Sequence, residues 1–238
     1  VAEAGDIEVS AKPDHLGHRK RLRERFLKGG ATALADYELL ELLICQAQPR
    51  GDVKPLAKAL IRRFGSFGAV MAASPDALRE VDGIGEATIV ALKTVQAAAL
   101  LMQQQEITSK PVLSTWQAVL NYCHSAMAHE TIEQFRLLFL DGKNALIADE
   151  KQSQGTVNHT PVYVREVAKR ALTLDASAVI MAHNHPSGDP SPSRDDIEMT
   201  RAVKVALEKI GIALHDHIIV GRKGHVSLRS LGYIDGAK

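Results

Sequence analysis

The sequence predicts a mixed α/β protein in two parts, a small all-α domain followed by a domain in which strands and helices alternate. Three observations carry that prediction. Up to about Met102 the apolar residues recur at three- and four-residue spacing, with almost no β-branched alternation. After Pro111, short strand-like runs appear between helical stretches, which argues for an α/β or α+β layer arrangement. Between the two lies a polar stretch, Gln103 to Pro111, which breaks both patterns. The expected domains are residues 15–102 and 112–238, with 103–111 as the linker.

Composition agrees with a folded protein. Of 238 residues, 45% are hydrophobic and 24% charged, which excludes wholesale disorder. Lys+Arg at 29 against Asp+Glu at 28 leaves a net charge of +1, so no global field draws nucleic acid or membrane. Aromatics are only 4%, so Leu, Val, Ile and Ala must build the core. Cys45 and Cys123 are too few for a disulfide framework or a cysteine-rich zinc site, and they point to a reducing compartment. The polar, acidic start shows no secretory signal, and no apolar run approaches the ~20 residues that span a bilayer. A cytoplasmic location and no membrane partner are expected.

The elements follow in order. Residues 1–14 read as a disordered tail. The stretch from His18 to Lys28 holds six Lys/Arg and one Glu. It reads either as a phosphate-binding arm or as a solvated amphipathic helix with Leu22, Phe26 and Leu27 inward. Leu34, Leu39, Leu40, Leu43 and Ile44 fall on one helical face, and Leu56, Ala59, Leu60 and Phe64 repeat the pattern until Gly65 stops it. Ser74-Pro75-Asp76 starts a helix, with Ser74 as cap and Pro75 in the first position. The Ala-rich run from Ala87 to Leu101 favours helix.

Val81-Asp82-Gly83-Ile84-Gly85-Glu86-Ala87 joins two of these helices and has the form of a helix–hairpin–helix. Gly83, Ile84 and Gly85 are the candidate nucleic-acid contacts, because glycines let a phosphate approach backbone N–H groups at a helix start. The competing reading is a tight turn between helices with Ile84 in the core. Glu86 and Thr88 stand where strong binders carry a base, and the nearest base is Lys93.

In the second domain a helix is expected over Ser114–Ala128, burying Trp116, Val119, Leu120 and Cys123. Strands are expected at Phe135–Leu140, Ala145–Lys151, Ala178–Ala182, His215–Val220 and His225–Leu228. Asp141 to Asn144 reads as a hairpin turn, and helices are expected at Val164–Leu174 and Asp195–Ile210.

Eight of the ten histidines lie in this domain. His183 and His185 end an apolar strand two residues apart, so they project to one face. Two neutral imidazoles side by side suit Zn²⁺, which needs a third ligand and, for catalysis, an open position. Asp196 lies in the first turn of the helix that starts near Ser193, and would complete a His, His, Asp set. Ser193-x-x-Asp196 also has the spacing of a capping box, and His-x-His can be a hydrogen-bonded pair without metal. His215-Asp216-His217 reads as a structural His/Asp pair tied to the backbone or standing behind the metal ligands, in which a carboxylate orients a histidine. His124, His129 and His159 read as loop or surface residues.

His183-x-His185, seven residues, Ser193, two residues and Asp196 resemble the JAMM (MPN+) zinc-hydrolase signature. The wider block HNHPSGDPSPSRDD resembles the RadC group (UPF0758), long labelled DNA repair proteins, over nearly the whole chain from about Arg19 to Tyr233. The resemblance implies a JAMM/MPN-like α/β/α domain, cytidine-deaminase-like in layout, behind a helical hairpin domain. It implies that His183, His185 and Asp196 bind zinc, that Ser193 steadies an oxyanion, and that a glutamate at the start of the first strand is the general base. Glu133 fits that place, with Glu166 as rival and Glu150 third. The implied chemistry is hydrolysis of a peptide or isopeptide bond, the substrate being an unidentified peptide or protein. DNA held without sequence preference by the hairpin is the other partner implied, in a non-catalytic repair or recombination role.

Overall fold

The computed structural model describes residues 14–154 and 163–235. Contacts divide the chain into two units, residues 1–96 and 97–238. The tail expected over residues 1–14 lies almost wholly outside the described residues, and His159 lies outside them too.

The first unit is helical. It comprises α1 (Asp14–Gly29), α2 (Asp36–Ala47), α3 (Lys54–Phe64), α4 (Phe67–Ala72), α5 (Pro75–Arg79) and the first part of α6 (Glu86–Thr108). Leu40, Ile44, Leu60, Val70, Leu78 and Leu92 form its core. Its punctuation follows local chemistry. Ser74 Oγ accepts the Ala77 amide at 3.2 Å with Pro75 next in line, and Gly65 ends α3 at φ +96°, a conformation costly for any residue with a Cβ. Two expectations fail here. Leu22 is buried and Phe26 half-buried in α1, but Leu27 is 84% exposed, because it sits past the edge of the apolar stripe. The polar residues 103–108 do not break α6, which runs to Thr108. Glutamine and glutamate are good helix formers, and Ile107 is fully buried in the last turn.

The second unit is a three-layer α/β/α domain. Its strands are β1 (Gln134–Leu140), β2 (Leu146–Gln154), β3 (Ala178–Asn184), β4 (Ala213–Gly221) and β5 (Gly224–Ser227). They form one sheet in the order β2-β1-β3-β4-β5, with only β3 and β4 parallel. The helices are α7 (Trp116–Met127), α8 (Val164–Thr173) and α9 (Arg194–Glu208). Alternation along the strands sorts the side chains into two cores. Leu138, Ile180, Ala182, Ile218 and Val220 face Val119, Cys123 and Met127 of α7. Phe135, Leu137, Val179, Met181 and Ile219 face Val167 of α8 and Val203 of α9. Each large aliphatic so buried contributes about 1.5–3 kcal/mol of transfer free energy. β3 lies between β1 and β4 and is buried along its whole length, so residues at its C-terminal end are held by neighbours on both sides. No helix among the described residues is long and apolar enough to cross a membrane.

Candidate metal centre

His183 and His185 occupy the end of β3. The His185 amide still bonds the Val220 carbonyl at 2.9 Å, and Pro186, lacking an N–H, ends the ladder. Both rings project to the α8/α9 face, as the two-residue period requires. Phe135, opposite His183 in the β1–β3 register, stacks on the His183 ring with centroids 5.9 Å apart. The loop that follows is pinned by Arg222, which donates to the Pro186 carbonyl at 2.9 Å and the Ser187 carbonyl at 2.8 Å. Gly188 adopts φ +88° there, and a Cβ on it would meet the Arg222 guanidinium at 2.9 Å.

The chain then returns at the N-terminus of α9. Ser193 is the N-cap, and both arms of the capping box form: the Asp196 amide donates to Ser193 Oγ at 3.1 Å, and Asp196 Oδ2 accepts the Ser193 amide at 2.7 Å. The Ser193 hydroxyl also donates to Asp196 Oδ2 at 2.6 Å. The carboxylate faces back to β3. Asp196 Oδ1 lies 3.1 Å from His183 Nε2, Asp196 Oδ2 lies 3.4 Å from His185 Nε2, and the two Nε2 atoms are 3.0 Å apart. Capping and convergence coexist, so the two readings of the Ser193–Asp196 spacing do not compete.

Hydrogen bonding sets the tautomers. His185 Nδ1 donates to the Asp189 carbonyl at 2.9 Å, which leaves Nε2 with its lone pair in the neutral ring. His183 Nδ1 contacts His217 Nε2 at 2.8 Å, and His217 Nδ1 contacts Thr200 Oγ1 at 2.6 Å. Burial, with the neighbouring His183 adding to it, holds His217 well below the usual imidazole range. His185 is shifted the other way, chiefly by its hydrogen bond to Asp196, against burial, with the Asp189 carbonyl and the Glu133 charge assisting. Burial acts to raise the Asp196 carboxyl, but the His183, His185 and Ser193 hydrogen bonds outweigh it and hold the group far below the usual carboxylate range.

Two imidazole nitrogens and one carboxylate therefore converge, the only such His/Cys/Asp/Glu group among the described residues. A tetrahedral ion with ligands at about 2.0–2.1 Å separates them by about 3.3 Å. The observed 3.0–3.4 Å spacing fits that edge.

Glu133 is half-buried, directly ahead of β1 and two residues before Phe135, and its charge is felt at His185. Glu166 pairs with its neighbour Arg165 at 3.1 Å in the first turn of α8, and Glu150 bonds Arg170, tying β2 to α8. Asp216 does not orient either flanking ring. It accepts the His217 amide at 2.7 Å and the Arg229 amide at 3.0 Å, while His215 Nε2 bonds Asn144 Oδ1 at 2.6 Å. The expected His/Asp pair is thus replaced by a His–His contact, because alternation along β4 sends Asp216 to the face opposite His217. Thr200 is the site residue that the sequence reading missed, and His217, expected behind the ligands, meets His183 rather than pairing with Asp216. The available signals were the alternation of β4 and the four-residue step from Asp196 to Thr200, which puts both on one face of α9.

Gly83, Ile84 and Gly85 lie apart from this centre in sequence, between α5 and α6 of the first unit. Gly83 uses φ +87°, and Gln48 Nε2 clamps the turn through the Gly83 carbonyl at 2.8 Å and Thr88 Oγ1 at 2.9 Å. Ile84 packs partly against the helical core. Lys93 donates to the Met71 carbonyl at 2.7 Å, and Arg19 bonds the carbonyls of Gln48, Pro49 and Gly51.

An α/β/α domain with this His, His, Asp set at the end of its central strand is of the JAB class. Residues 113–233 match the family of RadC-like JAB domains, and residues 14–90 match the UPF0758 N-terminal family. A UPF0758 protein of Rhodobacter capsulatus is 59% identical over 213 residues, covering 90% of this chain and all of that protein. A UPF0758 protein of Ruegeria pomeroyi is 55% identical over 217 residues, covering 91% of this chain and 97% of its own. The chain belongs to the RadC-like UPF0758 family.

Proposed function

We propose that the second unit is a zinc-dependent hydrolase of amide bonds, peptide or isopeptide. One observation carries this reading: two imidazole Nε2 atoms and the Asp196 carboxylate converge at 3.0–3.4 Å, with no further His, Cys, Asp or Glu in the group among the described residues. His183, His185 and Asp196 would hold the ion, a borderline-soft N/O donor set that suits Zn²⁺. A bound zinc lowers the pKa of water from about 15.7 towards about 7 and polarises a carbonyl.

The chain's own residues supply the rest. Glu133, beside His185, takes the proton of the attacking water and returns it to the leaving nitrogen as the C–N bond breaks. Ser193 stands beside the carboxylate ligand. Swinging its hydroxyl hydrogen away from Asp196 and towards the substrate carbonyl oxygen makes it the oxyanion donor. Arg222 holds the loop between β3 and α9, and so the distance between the ligands on either side of it.

The test is bound metal and cleavage of a quenched fluorescent peptide library, in wild type and Glu133→Gln. Zinc retained with cleavage lost supports the reading. Unchanged cleavage moves the base to Glu166, and wild-type protein that takes up no zinc discards the mechanism.

A second reading gives the helical unit a nucleic-acid role, non-catalytic and linked to repair or recombination. Its support is the clamped turn at Gly83, which fixes the hairpin ahead of α6. Duplex affinity that falls steeply with salt would favour it.

A further inference from the structure

The relay behind His183 has a direction, and the direction follows from atoms that cannot exchange roles. Thr200 Oγ1 lies 2.5 Å from the Asp196 carbonyl oxygen, which can only accept, so the hydroxyl hydrogen is spent there. The Thr200 oxygen must then accept from His217 Nδ1, 2.6 Å away. His217 is fully buried and its ring nitrogens meet only the Thr200 hydroxyl and the His183 ring, with no carboxylate to offset a charge, so the ring is neutral and presents a lone pair at Nε2. His183 Nδ1, 2.8 Å from that lone pair, must therefore donate. The outcome is a His183 with a proton on Nδ1 and with Nε2, 3.1 Å from Asp196 Oδ1, as the atom left to take a metal.

Thr200 and His217 are as buried as His183, so solvent does not replace a lost partner. The relay also starts on the backbone carbonyl of Asp196, one ligand, and ends on the ring of His183, another. His185 takes its tautomer separately, from the Asp189 carbonyl.

We propose that Thr200 and His217 are positioning residues that set the metal affinity of this centre by fixing His183 in its Nδ1–H form. Without the Thr200 hydroxyl, His217 is free to carry its proton on Nε2 and donate to His183 Nδ1. The His183 proton then moves to Nε2, the atom the metal needs. The inference rests on reading the site as a metal centre, but not on hydrolysis.

Two measurements test it. Zinc affinity is read by chelator competition in wild type, Thr200→Val and Thr200→Ser. Valine keeps the shape and removes the hydroxyl, and a 10–100-fold weaker affinity is expected, as for other outer partners of metal-bound histidines. Serine restores the hydroxyl and should return affinity to within a few-fold of wild type. The imidazole ¹⁵N spectrum of the metal-free wild type should show His183 protonated at Nδ1, and Thr200→Val should lose that signature. A wild-type His183 without a proton on Nδ1, or unchanged zinc affinity in a folded Thr200→Val, overturns the proposal. If wild type binds no zinc, the metal reading fails, and the nitrogen spectrum still decides the relay. If Thr200→Val does not fold, the same wild-type spectrum decides it.

Discussion

Asn184 Oδ1 accepts the backbone N–H of Gln134 at 2.8 Å, joining the end of β3 to the start of β1. Its Nδ2 donates to the Ile132 carbonyl at 3.2 Å and, more weakly, to the Glu130 carbonyl at 3.4 Å. The residue between His183 and His185 thus faces away from them and anchors the segment that carries Glu133. Asn184→Ala should destabilise the protein by about 1–3 kcal/mol, because the buried Gln134 amide loses its acceptor. Zinc affinity should stay near wild type, since none of these bonds touches His183 or His185. Denaturant unfolding and chelator competition check the pair of outcomes, and a variant as stable as wild type would contradict the anchoring role.

Asp196 holds two roles that one substitution separates. Asparagine keeps an oxygen for the Ser193 amide but carries no charge. Asp196→Asn should cost under about 1 kcal/mol of stability in metal-free protein, within the range of cap replacements, and should abolish measurable zinc binding. A variant that still loads zinc to full occupancy would show that the carboxylate is a cap and not a ligand.

The order of elements was legible in the sequence because helix and strand periods differ so clearly on either side of Pro111. All five expected strands form, with no end shifted by more than three residues. His183, His185 and Asp196 were legible because their spacing crosses a strand end and a capped helix start, two features with strong local signals. Thr200, and the partner of His217, were not, since a hydrogen-bond relay between a helix and a neighbouring strand leaves no spacing within one element. The polar run from Gln103 was read as breaking the helical pattern, yet α6 continues to Thr108, because polarity alone does not stop a helix. Leu27 was assigned inward because an apolar residue one step beyond a stripe looks like part of it.

The buried thiol of Cys123 gives a pH dependence with a defined sign. Burial, then the Asp149 charge, push it up to about 12. An unfolded thiol ionises near 8.5, so above that pH the folded state binds more protons than the unfolded state, and stability falls as pH rises. The loss from this one group is at most about 1.4 kcal/mol per pH unit and continues towards the folded value. Unfolding free energies between pH 8 and pH 10 should decline less steeply in Cys123→Ala than in wild type, after correction for the cavity. Identical slopes would mean that the native thiol ionises as the unfolded one does.

Arg136 and Asp149 face each other across β1 and β2 beneath α7, with Arg136 Nη1 2.6 Å from Asp149 Oδ2 and the Tyr122 hydroxyl donating to the same oxygen. The Asp149 side chain is almost wholly buried, and neither Asp149 Oδ1 nor Arg136 Nε has a hydrogen-bond partner among the described residues. A buried pair with unmet groups recovers little net stability from its own attraction, but removing one member strands the other charge. Asp149→Ala should therefore cost about 3–5 kcal/mol. Arg136→Met with Asp149→Leu, which removes both charges and refills the volume, should cost far less than the sum of the single substitutions. The coupling from a double-mutant cycle in urea is the deciding quantity. Near-additive losses would mean that Arg136 and Asp149 are each satisfied by other groups, and that the contact between them carries no energy of its own.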